Sequence, residues 1–131
     1  MSETLGLGRN AVIMKGDTAI AYAESYDWAA EADIIKIYAG GSLDPAILEY
    51  GNKTYTITLN RAVVSQSFWS DLSSGTKLTL KIRPHGSGAG KMEFTFSDCV
   101  IRSVSGASRL NDVVRERIVV EAKGMTVGTQ T

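Results

Sequence analysis

A chain of 131 residues with 14 basic and 14 acidic side chains and 44% hydrophobic residues has the size of one domain able to bury one core without staples. Its formal charge of zero argues against a protein that grips nucleic acid by the phosphates, and it leaves self-association unopposed by charge repulsion. The single cysteine, Cys99, excludes an intrachain disulfide; the opening MSETLGLGRN lacks a basic segment followed by an apolar one, and no apolar run approaches ~20 residues, so a soluble protein made in a cytoplasm is expected, with no signal peptide and no membrane partner.

In chain order, residues 1–10 carry two glycines and no periodicity and read as an N-terminal arm. Residues 11–14 and 19–26 read as a hairpin around Gly16 and Asp17. In 28–38 the alanines and acids of the first half favour helix, whereas Ile35 and Ile37 alternating with Ile34, Lys36 and Tyr38 make the second half a strand. The acids Glu24, Asp27, Glu31 and Asp33 fall together with no Lys or Arg among them, which reads as a solvated strand end or, more sharply, as a surface that repels phosphate. Residues 40–52, GGSLDPAILEYGN, are a loop by their glycines and Asp-Pro, yet they carry Leu43, Ile47, Leu48 and Tyr50. Apolar side chains on a long loop must fold back on their own core or insert against another subunit.

Residues 53–64 form the cleanest strand, with Tyr55, Ile57 and Leu59 on one face and Thr54, Thr56, Thr58 and Asn60 on the other. Residues 67–74 read as a short helix capped by Ser67 and stopped by Gly75, with Phe68, Trp69 and Leu72 on one stripe and its two aromatics plugging one end of the core. Strict alternation over 77–83 gives another strand, and a glycine-rich loop leads into 91–125, two long strands joined by one loop. The first sets Met92, Phe94 and Phe96 on one face. In the second, Val114, Ile118, Val120 and Ala122 oppose Arg115, Arg117, Glu121 and Lys123, but Glu116 falls among the apolar set and Val119 among the polar set. That broken parity suggests a face that is wet near the loop or is committed to a neighbour or a lumen. The expected fold is mainly β: an antiparallel β-sandwich or barrel of about seven strands with one short flanking helix, a single domain over 11–125 and a C-terminal tail over 126–131.

No enzyme signature emerges. GSGAGK at 86–91 has His85 where a phosphate loop needs glycine and Met92 where it needs Ser or Thr, so it reads as a flexible loop. One histidine supplies neither a multi-histidine metal site nor, beyond itself, a paired nucleophile, and Cys99 within a strand reads as a small buried hydrophobe. No catalytic, metal or cofactor site is expected.

Three segments carry a resemblance: AVIMKGDTAIAYAESYDW, IYAGGSLDPAILEYGNKTYTITLNRAVV and FTFSDCVIRSVSGASRLNDVVRERIVVEAKGM. Their order of hairpin, long loop, threonine-rich strand and closing strand pair resembles the tail tube proteins of tailed phages and related contractile injection systems. The resemblance implies a structural virion protein of the tail, assembled in the host cytoplasm as hexameric rings stacked into a hollow tube, with itself as chief partner and tail sheath, baseplate and tail terminator proteins as others. DNA would pass through without specific binding. On this reading Leu43, Ile47, Leu48 and Tyr50 make ring-to-ring contacts, helped by the N-terminal arm and the tail. Glu24, Asp27, Glu31, Asp33, Thr54, Thr56 and Thr58 face the lumen. The inner tube of a bacterial secretion apparatus and a small ligand-binding β-barrel, with Phe68 and Trp69 lining its pocket, are the alternatives.

Overall fold

The structure is a computed structural model that describes residues 11–20, 23–62 and 66–130. The expected arm at 1–10 lies outside the described residues. The described elements are strands β1 (Val12–Lys15), β2 (Thr18–Ala19), β3 (Ala23–Tyr38) and β4 (Pro45–Arg61), helix α1 (Gln66–Ser74), and strands β5 (Leu78–Arg83), β6 (Met92–Ala107), β7 (Arg115–Ala122) and β8 (Gly124–Thr129). Every pairing is antiparallel, in the order β2–β1–β5–β6–β7–β4–β3, with β8 attached to β6.

The long strand β6 turns this path into two layers. Its first part, Met92–Ser97, lies between β5 and β8, while Val100–Ala107 pairs with β7. The corner falls at Asp98, whose φ of 49° is unusual for a residue with a side chain, and the partner strand turns beside it, where the Lys123 amide donates to the Ser97 carbonyl at 3.1 Å. A side chain at Gly124 would come within 3.2 Å of Ser97 Oγ, so glycine lets the two strands round the corner together. β1, β2, β5 and β8 with the first part of β6 make one layer; β3, β4, β7 and the second part of β6 make the other. Ile13, Leu80, Ile82 and Phe96 from the first meet Ile57, Leu59, Ile118 and Val120 from the second in one core. Trp28 bridges the layers, its ring 5.7 Å from that of Phe94.

Several expectations change. The hairpin closes at Gly16, φ 64°, as its composition suggests, but its second strand is only Thr18–Ala19; Ala23 onward belongs to the other layer. Residues 28–33 are strand, because cross-strand burial of Trp28 against Ile57 outweighs the helical preference of alanine. The segment read as a loop over 40–52 is strand from Pro45, leaving only 39–44 to turn the chain. Residues 126–129, read as tail, are the end of β8 and pair with β6 from Met92 to Thr95. Val114 lies ahead of β7, and Met92, expected inside, is 39% exposed at the margin of its layer.

Candidate assembly surfaces

Helix α1 begins at Gln66, so Ser67 lies inside it rather than capping it, and its hydroxyl accepts a hydrogen bond from Lys15 Nζ instead. Gly75, φ 73°, ends the helix, and the Thr76 amide returns to the Asp71 carbonyl at 3.1 Å. Of the three residues read as one stripe, Phe68 alone is fully buried, with Lys15 and Arg61 over its ring at 4.9 and 5.7 Å. Trp69, expected in the plug, is exposed, and its indole makes a polar contact, Nε1 donating to Glu116 Oε2 at 2.9 Å. Leu72 stays exposed.

This contact accounts for Glu116 in the apolar set of β7. Glu116 is 1% exposed, and its other oxygen accepts from Arg61 Nη1 at 2.8 Å. A carboxylate buried this deeply is tolerable only with charged and hydrogen-bonding partners, and the register that pairs Glu116 with Arg61 across the strands provides one. The broken parity therefore answers to the protein's own helix and not to a neighbour. Val119 does point the other way, onto the outer face.

That outer face gathers most of the residues expected to line a lumen. Directly opposed residues of antiparallel strands share a face, and the register sets Asp27 against Thr58, Ala29 against Thr56 and Glu31 against Thr54. β7 adds Arg117, Val119 and Glu121, and β6 adds Ser103 and Ser105. Glu24 and Asp33 are the exceptions, each at a register shift in β3. Glu24 is committed to Arg115 at 2.7 Å, and Asp33 packs against Gly51, where an added Cβ would lie 3.1 Å from its own. The face is mixed in charge: Arg102 lies 3.7 Å from Glu121, and Arg115 also donates to Asp112 at 2.8 Å. Those contacts with Glu24 and Asp112 hold the Arg115 guanidinium even more firmly protonated, and the Arg115 contact, with the Val113 amide, keeps the Asp112 carboxyl below its usual range.

Above this face the β3–β4 ladder continues as an arm. From Lys53 to Pro45 it extends roughly 25 Å at strand rise. Its pairs are Ile34 with Tyr50, Ile35 with Glu49, Lys36 with Leu48 and Ile37 with Ile47. Large apolar side chains consequently occupy both faces: Ile34, Leu48 and Tyr50 on one, Ile35, Ile37 and Ile47 on the other. All are exposed, Tyr50 at 73% and Leu43, at the turn, at 98%. Ile47, Leu48, Tyr50 and Leu43 were legible in the sequence as stranded apolar groups. Their partners Ile34, Ile35, Ile37 and Tyr38 were not read as part of the same surface, although apolar residues at both parities of a strand are the signal of one.

Elsewhere the structure favours plain structural readings. The 84–90 loop offers no phosphate cradle, since the Gly88 amide donates to the Gln130 side chain at 3.0 Å and the Gly90 amide to the Gln130 carbonyl at 2.8 Å. His85 is partly buried in that loop. Cys99 is fully buried, its thiol 3.3 Å from the Phe96 carbonyl and pushed up to about 11 by burial.

Neither a family model nor a curated protein matches this sequence. Solved structures match over nearly all of it. The tail of an empty gene transfer agent (GTA) particle, refined with C6 symmetry, aligns with a TM-score of 0.75 at 13% identity, over 97% of this chain and 100% of that one. The sheath/tube terminator of the extracellular contractile injection system PVC gives 0.76 at 18% identity, over 98% and 100%. This chain has the tail tube fold. The SPP1 tail tube agrees with a TM-score of 0.76 at 9% identity, over 96% of this chain and 80% of that one. The fold is shared at identities of 9–18%, and the proteins that share it here are components of tails and injection systems, not enzymes.

Proposed function

We propose that this chain is a structural subunit that polymerises as stacked rings, six to a ring, into a hollow tail tube through which DNA is delivered. The observation that carries the reading is the state of the second layer. Among the described residues it has two unpaired edges, the outer edge of β3 and that of Val100–Ala107 in β6. Pairing one edge with the other edge of the next copy is a head-to-tail contact, and where the rotation closes it leaves no edge exposed. The sixfold count follows the gene transfer agent tail.

In such a ring the core side of the layer is already covered, so its other face lines the channel. Asp27, Glu31, Thr54, Thr56 and Thr58 then meet the passing DNA, with most of the arginines on that face engaged by acids. A lining of hydroxyls and balanced charge gives phosphates little to hold and lets the duplex slide. The arm makes ring-to-ring contacts through Leu43, Ile47, Leu48 and Tyr50, each contributing roughly 1.5–3 kcal/mol when fully covered. Sheath, baseplate and terminator proteins are the expected partners along the outside and at the ends, and the tail of a virion its place. Sedimentation and negative-stain imaging of the concentrated protein test this: rings or tubes are expected, and a strictly monomeric profile at high concentration and moderate salt would overturn it.

A further inference from the structure

The arm has an apolar counterpart at the opposite end of the same layer. β6 and β7 are joined there by residues 108–114, beyond the pair Ala107 and Arg115, whereas the arm leaves the layer past Lys53. This tip turns its apolar groups outward: Leu110 is 93% exposed, Val113 50% and Val114 45%. The outward presentation is built in. Asp112 folds back on its own strand, accepting from the Val113 amide and from Arg115 Nη1, both at 2.8 Å, and Asn111 adopts a left-handed φ of 65° that turns the chain beside Leu110. With Asp112 engaged, Arg109 is the charge of the tip for which no ion pair is found among the described residues. On the arm the same holds for Asp44, Glu49 and Lys36, while Lys53 at its base lies over the Tyr50 ring at 5.6 Å.

We infer that residues 108–114 are the acceptor for the arm of a second copy of this chain in the adjacent ring, with Leu110, Val113 and Val114 covering one apolar face of the arm and Arg109 meeting Asp44 or Glu49. The inference rests on the stacked-tube reading and names the missing half of its axial contact. Two apolar surfaces at opposite ends of one layer, with Arg109 on one and Asp44 and Glu49 on the other, fit a translation along the layer: each copy offers its arm to one ring and its tip to the other. Such a contact does not close on itself, which makes it a filament contact, where edge pairing makes a ring contact. The arm is two-faced, and the tip covers one face only.

Leu110→Asp is the test. Leu110 is outside the core, so the substitution leaves the monomer folded by circular dichroism, and rings without tubes are the expected product. Tubes of undiminished length would overturn the inference while leaving the tube reading standing. As a second measurement, Leu48 or Tyr50 is replaced by the photocrosslinking residue p-benzoylphenylalanine, and tubes assembled from a mixture of heavy- and normal-isotope protein are irradiated and digested. Mixed-isotope peptides joining the arm to 108–114 are expected. Crosslinks mapping elsewhere in well-formed tubes would overturn the acceptor alone, and absence of rings and tubes from the unmodified protein would overturn both readings.

Discussion

The β3–β4 ladder contains two regions that differ in one respect only, the presence of a cover. From Ala23 to Ala32 against Lys53 to Arg61, one face is packed by the first layer and α1, and the other is hydroxyl and charge. From Ile34 to Tyr38 against Pro45 to Tyr50, the antiparallel ladder resumes past the register shift at Asp33, yet apolar side chains stand on both faces and none of the described residues covers either. The lower region obeys the alternation of a half-buried strand because its environment is two-sided within one chain. The upper one breaks it, and on the stacked-tube proposal other copies supply its environment. A departure from alternation marks a place where a strand meets something other than core and water. Glu116 is the converse case, an acid on the core side whose something else is the helix.

Substitutions sharpen this contrast, beginning with the covered side. Phe96→Ala, in the core where the two layers meet, is expected to lower unfolding free energy by about 3–5 kcal/mol in a urea titration, a large share of the ~5–15 kcal/mol that holds a domain together. Glu116→Ala removes the buried carboxylate that Arg61 and the Trp69 indole share; the expected loss is about 3 kcal/mol, with a shift of tryptophan emission. A loss under about 1 kcal/mol would show that the buried cluster is solvated.

The pH response of Cys99 tests how dry the covered side is. Its thiol stays protonated in the folded protein to about 11 and ionises near 9 once unfolded, so the unfolded state binds fewer protons between these values and stability falls as pH rises through them. The decline should be on the order of 2 kcal/mol and absent in Cys99→Val. In the arm, Ile37→Ser with Leu48→Ser should change monomer stability by less than about 0.5 kcal/mol per site while abolishing assembly by sedimentation. A comparable loss of monomer stability would mean that the arm has an internal cover after all. The smallest effect belongs to Asp112: its lowered carboxyl contributes stability above 3.8 that fades as pH falls through its folded value, and Asp112→Asn should flatten that acid limb only slightly.

Composition and alternation alone were enough for the class of the fold: a neutral, single-cysteine chain with repeated period-two segments has few options besides an antiparallel sandwich. The threonine face of β4, the turn at Gly16 and the helix end at Gly75 were equally legible, because each depends on a local rule of side-chain alternation or backbone freedom. The stranded apolar groups after Gly41 were visible too, though as a loop, since glycine and proline hid a strand that begins at Pro45. What only the tertiary structure decided was non-local. The corner at Asp98, the conversion of the expected tail into β8, the pairing of Glu116 with Arg61 and Trp69, and the placement of the arm and the 108–114 tip at opposite ends of one layer all depend on contacts between residues far apart in the chain. Periodicity reports which face of a strand is covered. It carries no information about which part of the chain, or which copy of it, does the covering.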